Sequence, residues 1–381
     1  MESVKILGFS DKKGYKKMSG ENISGNRKKV IALDFFCGCG GVTNGLRKAG
    51  IEVIAGFDID PEVRYAYEEN NSGSVFFNID ISKTGENVKA INKILESRRR
   101  DALIFSACAP CQPFSLHNRN HKWDYRKSLM IEFIKVIKRL PIKNRPEVIL
   151  FENVGTMRKR GERVLNIVIE QFEKMGFAIL GPRIINVADF GVPQSRKRLI
   201  FVAVKNCFLR HNDRFNWDYF DDKFKEEKVS VKDAISHLPV IPHGHRLNRQ
   251  DPLHVTRALS SVNLQRIRQI TRPGQGREMW DKKYNLECYK KHDGHKDVYG
   301  RMSWDGQAPT LTCRCISISN GRFGHPEQDR AISLREAAIL QTLDCYKFKE
   351  PILLNRVAQQ IGNAVPPKLA TKIGKFVLEI I

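Results

Sequence analysis

The stretch VIALDFFCGCGGVTNGLRKAGIEVIAGFD, residues 30–58, decides the fold. Its first part, VIALDFF (30–36), is a short continuous apolar run, the pattern of a strand buried on both faces. CGCGG follows, and glycines at that point permit a tight turn and a close backbone approach to a ligand. Residues 43–49 then have helical periodicity closed by Gly50, and EVIAGFD (52–58) is a second buried strand. Strand, glycine turn, helix and strand in so short a span open an α/β fold.

The alternation continues outward. ALIFSA (102–107), VILFEN (148–153) and RLIFVAV (198–204) are further buried strands, and a third strand is expected to end near Asp80 in NIDIS. Between them lie the amphipathic stretches SLMIEFIKVIKRL (128–140) and RVLNIVIEQFEKMG (163–176). The expectation is a parallel sheet covered on both faces. Near Lys205 the pattern stops. Residues 205–300 are irregular and hold seven of the ten His, and 246–291 carries 11 Lys/Arg against 4 Asp/Glu. Helical patterning returns in LREAAILQTL (334–343), NRVAQQIG (355–362) and KLATKIGKFVLEI (368–380). Residues 1–29, with eight Lys/Arg against three Asp/Glu, read as a flexible basic tail. The organisation expected is that tail, a first domain over 30–204, a smaller irregular insert over 205–330, and a C-terminal segment, 331–381, returning to the first domain.

Composition narrows the class. The 381 residues include 65 Lys/Arg and 42 Asp/Glu, a formal charge of +23. A hydrophobic fraction of 41% excludes wholesale disorder. No apolar run approaches the roughly 18 residues of a membrane span, and the N-terminus has no signal-peptide pattern. A soluble intracellular protein with an anionic partner, most simply nucleic acid, is expected. The nine cysteines are odd in number and scattered. Only Cys108/Cys111 has CxxC spacing, and a redox pair is disfavoured because thioredoxin-like surroundings are missing. Cys288, His292 and His295 read as a polar loop, and no metal is expected.

Four places carry chemistry. The glycine turn, followed by Asp58 and Asp80 at successive strand ends, suits an adenosine-type cofactor: a strand-end acid can take both hydroxyls of a ribose. By itself this leaves a nicotinamide dinucleotide and S-adenosylmethionine both open. In SACAPCQPFS (106–115), Cys111 stands on a proline-stiffened turn after a buried strand, either as a nucleophile or as a small buried residue. Glu152 in FENV (151–154) is a structural acid or a proton donor. In QSRKR (194–198) a period of two puts Gln194, Arg196 and Arg198 on one face, suited to an anion or to an ordinary basic strand edge.

Taken in order, DFFCGCGG (34–41), PCQPFS (110–115), ENV, QSRKR, RMSWDGQAPTLT (301–312), RAISLREAAILQTL (330–343) and QQIGNAVPP (359–367) resemble the C5-cytosine DNA methyltransferase family, from Val30 to Pro367. The resemblance implies a Rossmann-like S-adenosylmethionine-dependent methyltransferase domain, with 205–330 as an inserted target-recognition domain. It implies that Cys111 adds to C6 of a flipped-out cytosine in double-stranded DNA, that Glu152 serves N3 and the exocyclic amine, and that Arg196 contacts O2 while Arg198 supports the loop. S-adenosylmethionine would lie against Phe36, Gly38, Gly40, Asp58, Ile59, Asp80, Ile81, Pro110, Leu129, Asn363 and Val365. Ile59 stands where an aromatic is also common. Gln112, Ser115 and Gln194, with Arg272, Gln275 and Arg277 from TRPGQGREMW (271–280), are the residues expected to touch DNA. The resemblance further implies a monomeric bacterial modification enzyme in the cytoplasm, brought to the nucleoid by DNA binding, with a cognate endonuclease as a separate partner. The rivals are a transfer-RNA cytosine methyltransferase, against which the long insert and the lack of a CFT tripeptide speak, and a non-catalytic nucleic-acid-binding protein, against which the intact Cys111, Glu152 and Arg196 speak. A nicotinamide-dependent oxidoreductase leaves PCQ, ENV and the basic insert without purpose.

Overall fold

The computed structural model describes residues 28–110, 112–114, 124–209, 216–287 and 297–381. Seven strands, β1 (Val30–Phe35), β2 (Glu52–Asp58), β3 (Val75–Asn78), β4 (Ala102–Ala107), β5 (Val148–Val154), β6 (Phe177–Asn186) and β7 (Lys197–Lys205), form one sheet in the order β3-β2-β1-β4-β5-β7-β6. Every residue of β1 and β4 is buried, which is why both read as unbroken apolar runs. Sequence order reverses between β1 and β4, so a crevice opens at the carboxyl ends of these strands. The register aligns the ends: Phe35 pairs with Ala107 on one side and with Phe57 on the other.

Side chains alternate across the sheet. The helices of the first half are α1 (Gly41–Lys48), α2 (Arg64–Asn70), α3 (Thr84–Leu95), α4 (Leu129–Arg139), α5 (Met157–Arg160) and α6 (Glu162–Lys174). Ile31, Leu33 and Phe35 join Phe105, Phe151 and Phe201 on one face, and α3, α4 and α6 cover it. Val30 and Ala32 face the second side, with Leu46 of α1. Farther along the chain come α7 (Trp217–Phe224), α8 (Val231–Ile235), α9 (Ser261–Arg268), α10 (Leu334–Leu340), α11 (Leu354–Asn363) and α12 (Pro367–Ile380). Phe376 and Val377 of α12 and Trp217, Phe220 and Phe224 of α7 complete the second face. The chain's C-terminus thus packs on its first strand.

The sheet is not wholly parallel as expected. β1 to β5 are, but β7 runs antiparallel to both β5 and β6. β6 escapes a reading by pattern because FAILGPRIIN is an edge strand, half-buried along most of its length and interrupted at Gly181–Pro182, where its register with β7 shifts. Asp80 lies two residues beyond the end of β3.

A further cluster gathers α8, α10 and α11 with Cys39 and Ala66 from the first half. Arg330, fully buried, is bidentate on Glu336 (2.7 and 2.6 Å), which also closes a capping box with Ser333 at the start of α10. No helix among the described residues is long and apolar enough to cross a membrane.

Candidate active site

The crevice contains a cavity of about 420 Å³. Its floor is the turn after β1, where Phe36, Gly38 and Gly40 all adopt positive φ (59°, 51° and 85°). Asp58, at the end of β2, pins that turn: its carboxylate accepts from the Gly38 N–H (2.9 Å) and the Asp60 N–H (3.0 Å). Burial pushes the Asp58 carboxyl above its usual range despite these two bonds. The roof comes from the far end of the chain. A Cβ on Gly41 would stand 2.2 Å from the Val365 carbonyl oxygen, so only glycine lets the NAVPP segment close over the start of α1.

Phe36, Gly38, Asp58, Ile59, Asp80, Ile81, Pro110, Leu129, Asn363 and Val365 all line this one cavity. Gly40 does not; its carbonyl accepts from the Tyr346 hydroxyl (3.0 Å), and it shapes the turn from behind. Ile59 is 63% exposed, an apolar side chain at the mouth with little packed on it. Asp80 accepts from the Ser82 N–H (2.9 Å) and hydroxyl (2.7 Å).

The same cavity runs on to Gln112, Glu152, Arg196 and Arg198. Arg198 Nε stands 2.8 Å from Glu152 Oε1, both nearly buried. Asn153 donates to the Ala109 carbonyl (3.1 Å) and Thr156 to the Phe114 carbonyl (2.8 Å), which fastens the turn after β4 to β5. Cys111 and Ser115 lie outside the described residues, as do Cys288, His292 and His295, but Pro110 and Gln112 on either side of Cys111 both face the cavity.

Arg196 and Arg198, expected at the cytosine and in support of the loop, both line the cavity but make different contacts. Arg196 donates to the Leu311 carbonyl (2.8 Å) and twice to the Gly362 carbonyl (3.1 and 3.0 Å), bracing two remote segments. Gln194, expected to touch DNA, is fully buried; it donates to the side chain of Gln341 and accepts from the Leu311 N–H (2.9 Å), so its amide is consumed inside the protein. In the insert, Arg272 is exposed, Gln275 turns back to accept from the Arg272 N–H (3.2 Å), and Arg277 is half-buried.

Asp34 is the cavity residue that sequence reading passed over. It accepts from the Thr43 hydroxyl (2.7 Å), the Thr43 N–H (3.2 Å) and the Ser106 hydroxyl, yet burial raises its carboxyl to about 6. An acid inside the apolar run VIALDF was the available signal. Because the folded pKa lies above the unfolded value of 3.8, this group favours the folded state fully below pH 3.8, and the contribution is lost as pH rises through 6. Wild type is therefore expected to lose about 2 kcal/mol relative to Asp34→Asn between pH 4 and pH 7. Urea unfolding of both proteins across that range checks this, and a pH-independent difference would contradict it.

A sequence profile of the C-5 cytosine-specific DNA methylase family matches residues 30–379. The chain is 37% identical over 352 residues to the Type II methylase M.HgiDII of Herpetosiphon aurantiacus, covering 91% of this chain and 94% of the relative. It is 28% identical to the Type II methyltransferase M.Eco47II of Escherichia coli, over 92% and 79% of the two chains. Among solved structures, a DNA modification methyltransferase encoded within an E. coli prophage superposes with a TM-score of 0.69 at 23% identity, over 92% of this chain and 99% of that one. The Dnmt2 methyltransferase of S. pombe gives 0.57 at 17% identity, over 92% and 99%. Both structures share the fold. A cavity at the β1/β4 switch point, lined by Asp58 and by the Glu152–Arg198 pair, agrees with the match along the chain: the protein belongs to the C-5 cytosine-specific DNA methylase family and is a DNA cytosine-C5 methyltransferase.

Proposed function

We propose that S-adenosylmethionine is the methyl donor and that Cys111 is the nucleophile in a covalent mechanism on a flipped-out cytosine. The observation that carries this is one cavity lined both by Asp58 and its neighbours and by the Glu152–Arg198 pair, with Pro110 and Gln112, the residues flanking Cys111, on its wall. The walls fit the donor: a carboxylate at Asp58 for a ribose, and apolar Phe36, Ile59, Ile81 and Leu129 for a base. When bound, S-adenosylmethionine supplies an electrophilic methyl group.

This chain's residues do the rest. The Cys111 thiolate adds to C6, which moves electron density onto C5 and toward N3. Glu152 holds a proton at N3 as charge builds there. Arg198, already bonded to Glu152, fixes that carboxyl and presents its guanidinium to the ring, while Arg196 braces the Leu311 and Gly362 backbones behind it. Once C5 carries the methyl group, its proton passes to solvent, the C5–C6 double bond re-forms, Cys111 leaves as the thiolate and the N3 proton returns to Glu152. Cytosine C6 is out of reach in a stacked duplex, so the base leaves the helix first. In this reading 30–204 and 331–381 form the catalytic unit, and 205–330 is the recognition region, apart from α7, which packs on the sheet. Arg272 and Arg277 meet DNA from that region. The setting is a bacterial restriction–modification system, with the methylase a cytoplasmic monomer at the nucleoid and the endonuclease a separate protein; the named Type II relatives support it.

Incubation with methyl-labelled S-adenosylmethionine and either unmethylated duplex DNA or unmodified transfer RNA tests the reading. Label recovered as 5-methylcytosine from DNA is expected. Label confined to transfer RNA, or none in either with cofactor still bound, would overturn it.

A further inference from the structure

Where the chain leaves β5 beside the cavity, it turns sharply basic. Residues 158–163 read RKRGER, four cations against one acid, shortly after Glu152 and Val154, which line the cavity wall. Among the described residues, no carboxylate lies within ion-pair reach of Arg158, Lys159 or Arg163, and all three are exposed. Arg158 donates to the Pro182 carbonyl (3.3 Å), a bond that leaves its charge unneutralised.

This segment is also firmly seated. Met157 is fully buried in the core of the sheet. Thr156 donates to the Phe114 carbonyl (2.8 Å), and Phe114 lies so close to Gly161 that an added Cβ would come within 2.7 Å of its ring. Glycine at 161 is thus what lets the basic turn rest directly on the loop that follows Cys111. Lys197 extends the patch. It is exposed, its Cβ lies 3.6 Å from where a Cβ on Gly155 would stand, and strand parity puts it on the face of Leu199 and Phe201, where Met157 and Phe114 also pack.

We infer that Arg158, Lys159 and Lys197 form a rim that grips the sugar–phosphate backbone of the DNA beside the target cytosine, and that its seat on Phe114 sets the register of the duplex against the nucleophile loop. The inference rests on the reading of the cavity as the site of cytosine methylation. Exposed cations without carboxylate partners among the described residues, a few positions along the chain from Val154 and Arg198 of the cavity wall, are complementary to phosphate. Such contacts position the duplex and read no sequence.

The test compares three proteins on a mixed-sequence duplex: wild type, Arg158→Ala/Lys159→Ala/Lys197→Ala, and a control, Lys89→Ala/Lys93→Ala/Arg99→Ala, which removes the same charge from exposed positions on α3 and the segment that follows it. Binding is titrated from 50 to 300 mM salt. Each lost phosphate contact lowers the slope of log affinity against log salt by about 0.9, so the rim variant should lose about 2 to 3 in slope and about ten- to a hundredfold in affinity at physiological salt. Its S-adenosylmethionine affinity by calorimetry and its melting temperature should match wild type, and the control should keep the wild-type slope. An unchanged slope in the rim variant, or an equal loss in both triple variants, would overturn the inference. Failure of wild type itself to bind or methylate DNA would instead defeat the parent reading.

Discussion

Cys111→Ser is expected to lower methyl transfer to DNA by about 10⁴-fold or more, with S-adenosylmethionine and DNA still bound. A serine hydroxyl in the same place is almost wholly protonated at neutral pH and is the poorer nucleophile toward an electron-poor ring carbon. The neighbouring thiol cannot stand in. Cys108 borders the same cavity, but burial, and after it the charge of Glu152, push its thiol well above the usual range, so little thiolate forms. Cys37 and Cys39 in the cofactor turn are held protonated by burial in the same way. These three buried thiols are poor attackers, which supports the proposal that Cys111 supplies the sulfur. Cys108→Ala should accordingly keep the rate within about tenfold of wild type. Single-turnover transfer from labelled cofactor measures both variants. A Cys111→Ser protein that retains a tenth of the wild-type rate would refute covalent addition by this residue, whereas a silent Cys108→Ala protein would move the nucleophile three residues upstream.

What could be read from the sequence was local. The turn at 36–40 and the strands on either side were legible because burial on both faces leaves an unbroken apolar run, and because the glycines fall where the chain must bend at positive φ. Asp58 could be placed from its strand end alone, whereas Asp80 stands two residues past the end of β3. The contacts of the two arginines could not be placed that way. Arg196 and Arg198 have the same spacing rule and the same side-chain chemistry. What separates them is that one meets the carbonyls of Leu311 and Gly362, 115 and 166 residues away, while the other meets Glu152 across a strand pair. Gln194 was misread for the same reason: its partners Leu311 and Gln341 belong to segments that only tertiary folding brings near. β6 was lost to an opposite cause, a half-exposed edge strand whose own pattern is weak.

Glu152→Gln is expected to lower the rate of methyl transfer by about 10²- to 10⁴-fold while leaving cofactor affinity near wild type. Glutamine keeps the shape and can still bond to the ring, but it has no carboxyl proton to hold at N3 as charge gathers there. The effect should sit in the chemical step, so single-turnover rate falls and the KM for DNA moves little. Arg198 provides the internal control, since its guanidinium is 2.8 Å from the carboxyl it would orient. If Arg198 works partly through Glu152, then Arg198→Met must cost less in the Glu152→Gln background than in wild type, a coupling of about 0.5–3 kcal/mol in activation free energy. Arg196→Met should behave differently: with its carbonyl contacts to Leu311 and Gly362 gone, it lowers the melting temperature and shows little coupling to Glu152. Strict additivity between positions 152 and 198, with coupling found at 196 instead, would restore the guanidinium roles that the sequence alone suggested. A Glu152→Gln enzyme at full rate would place the N3 proton on another group altogether.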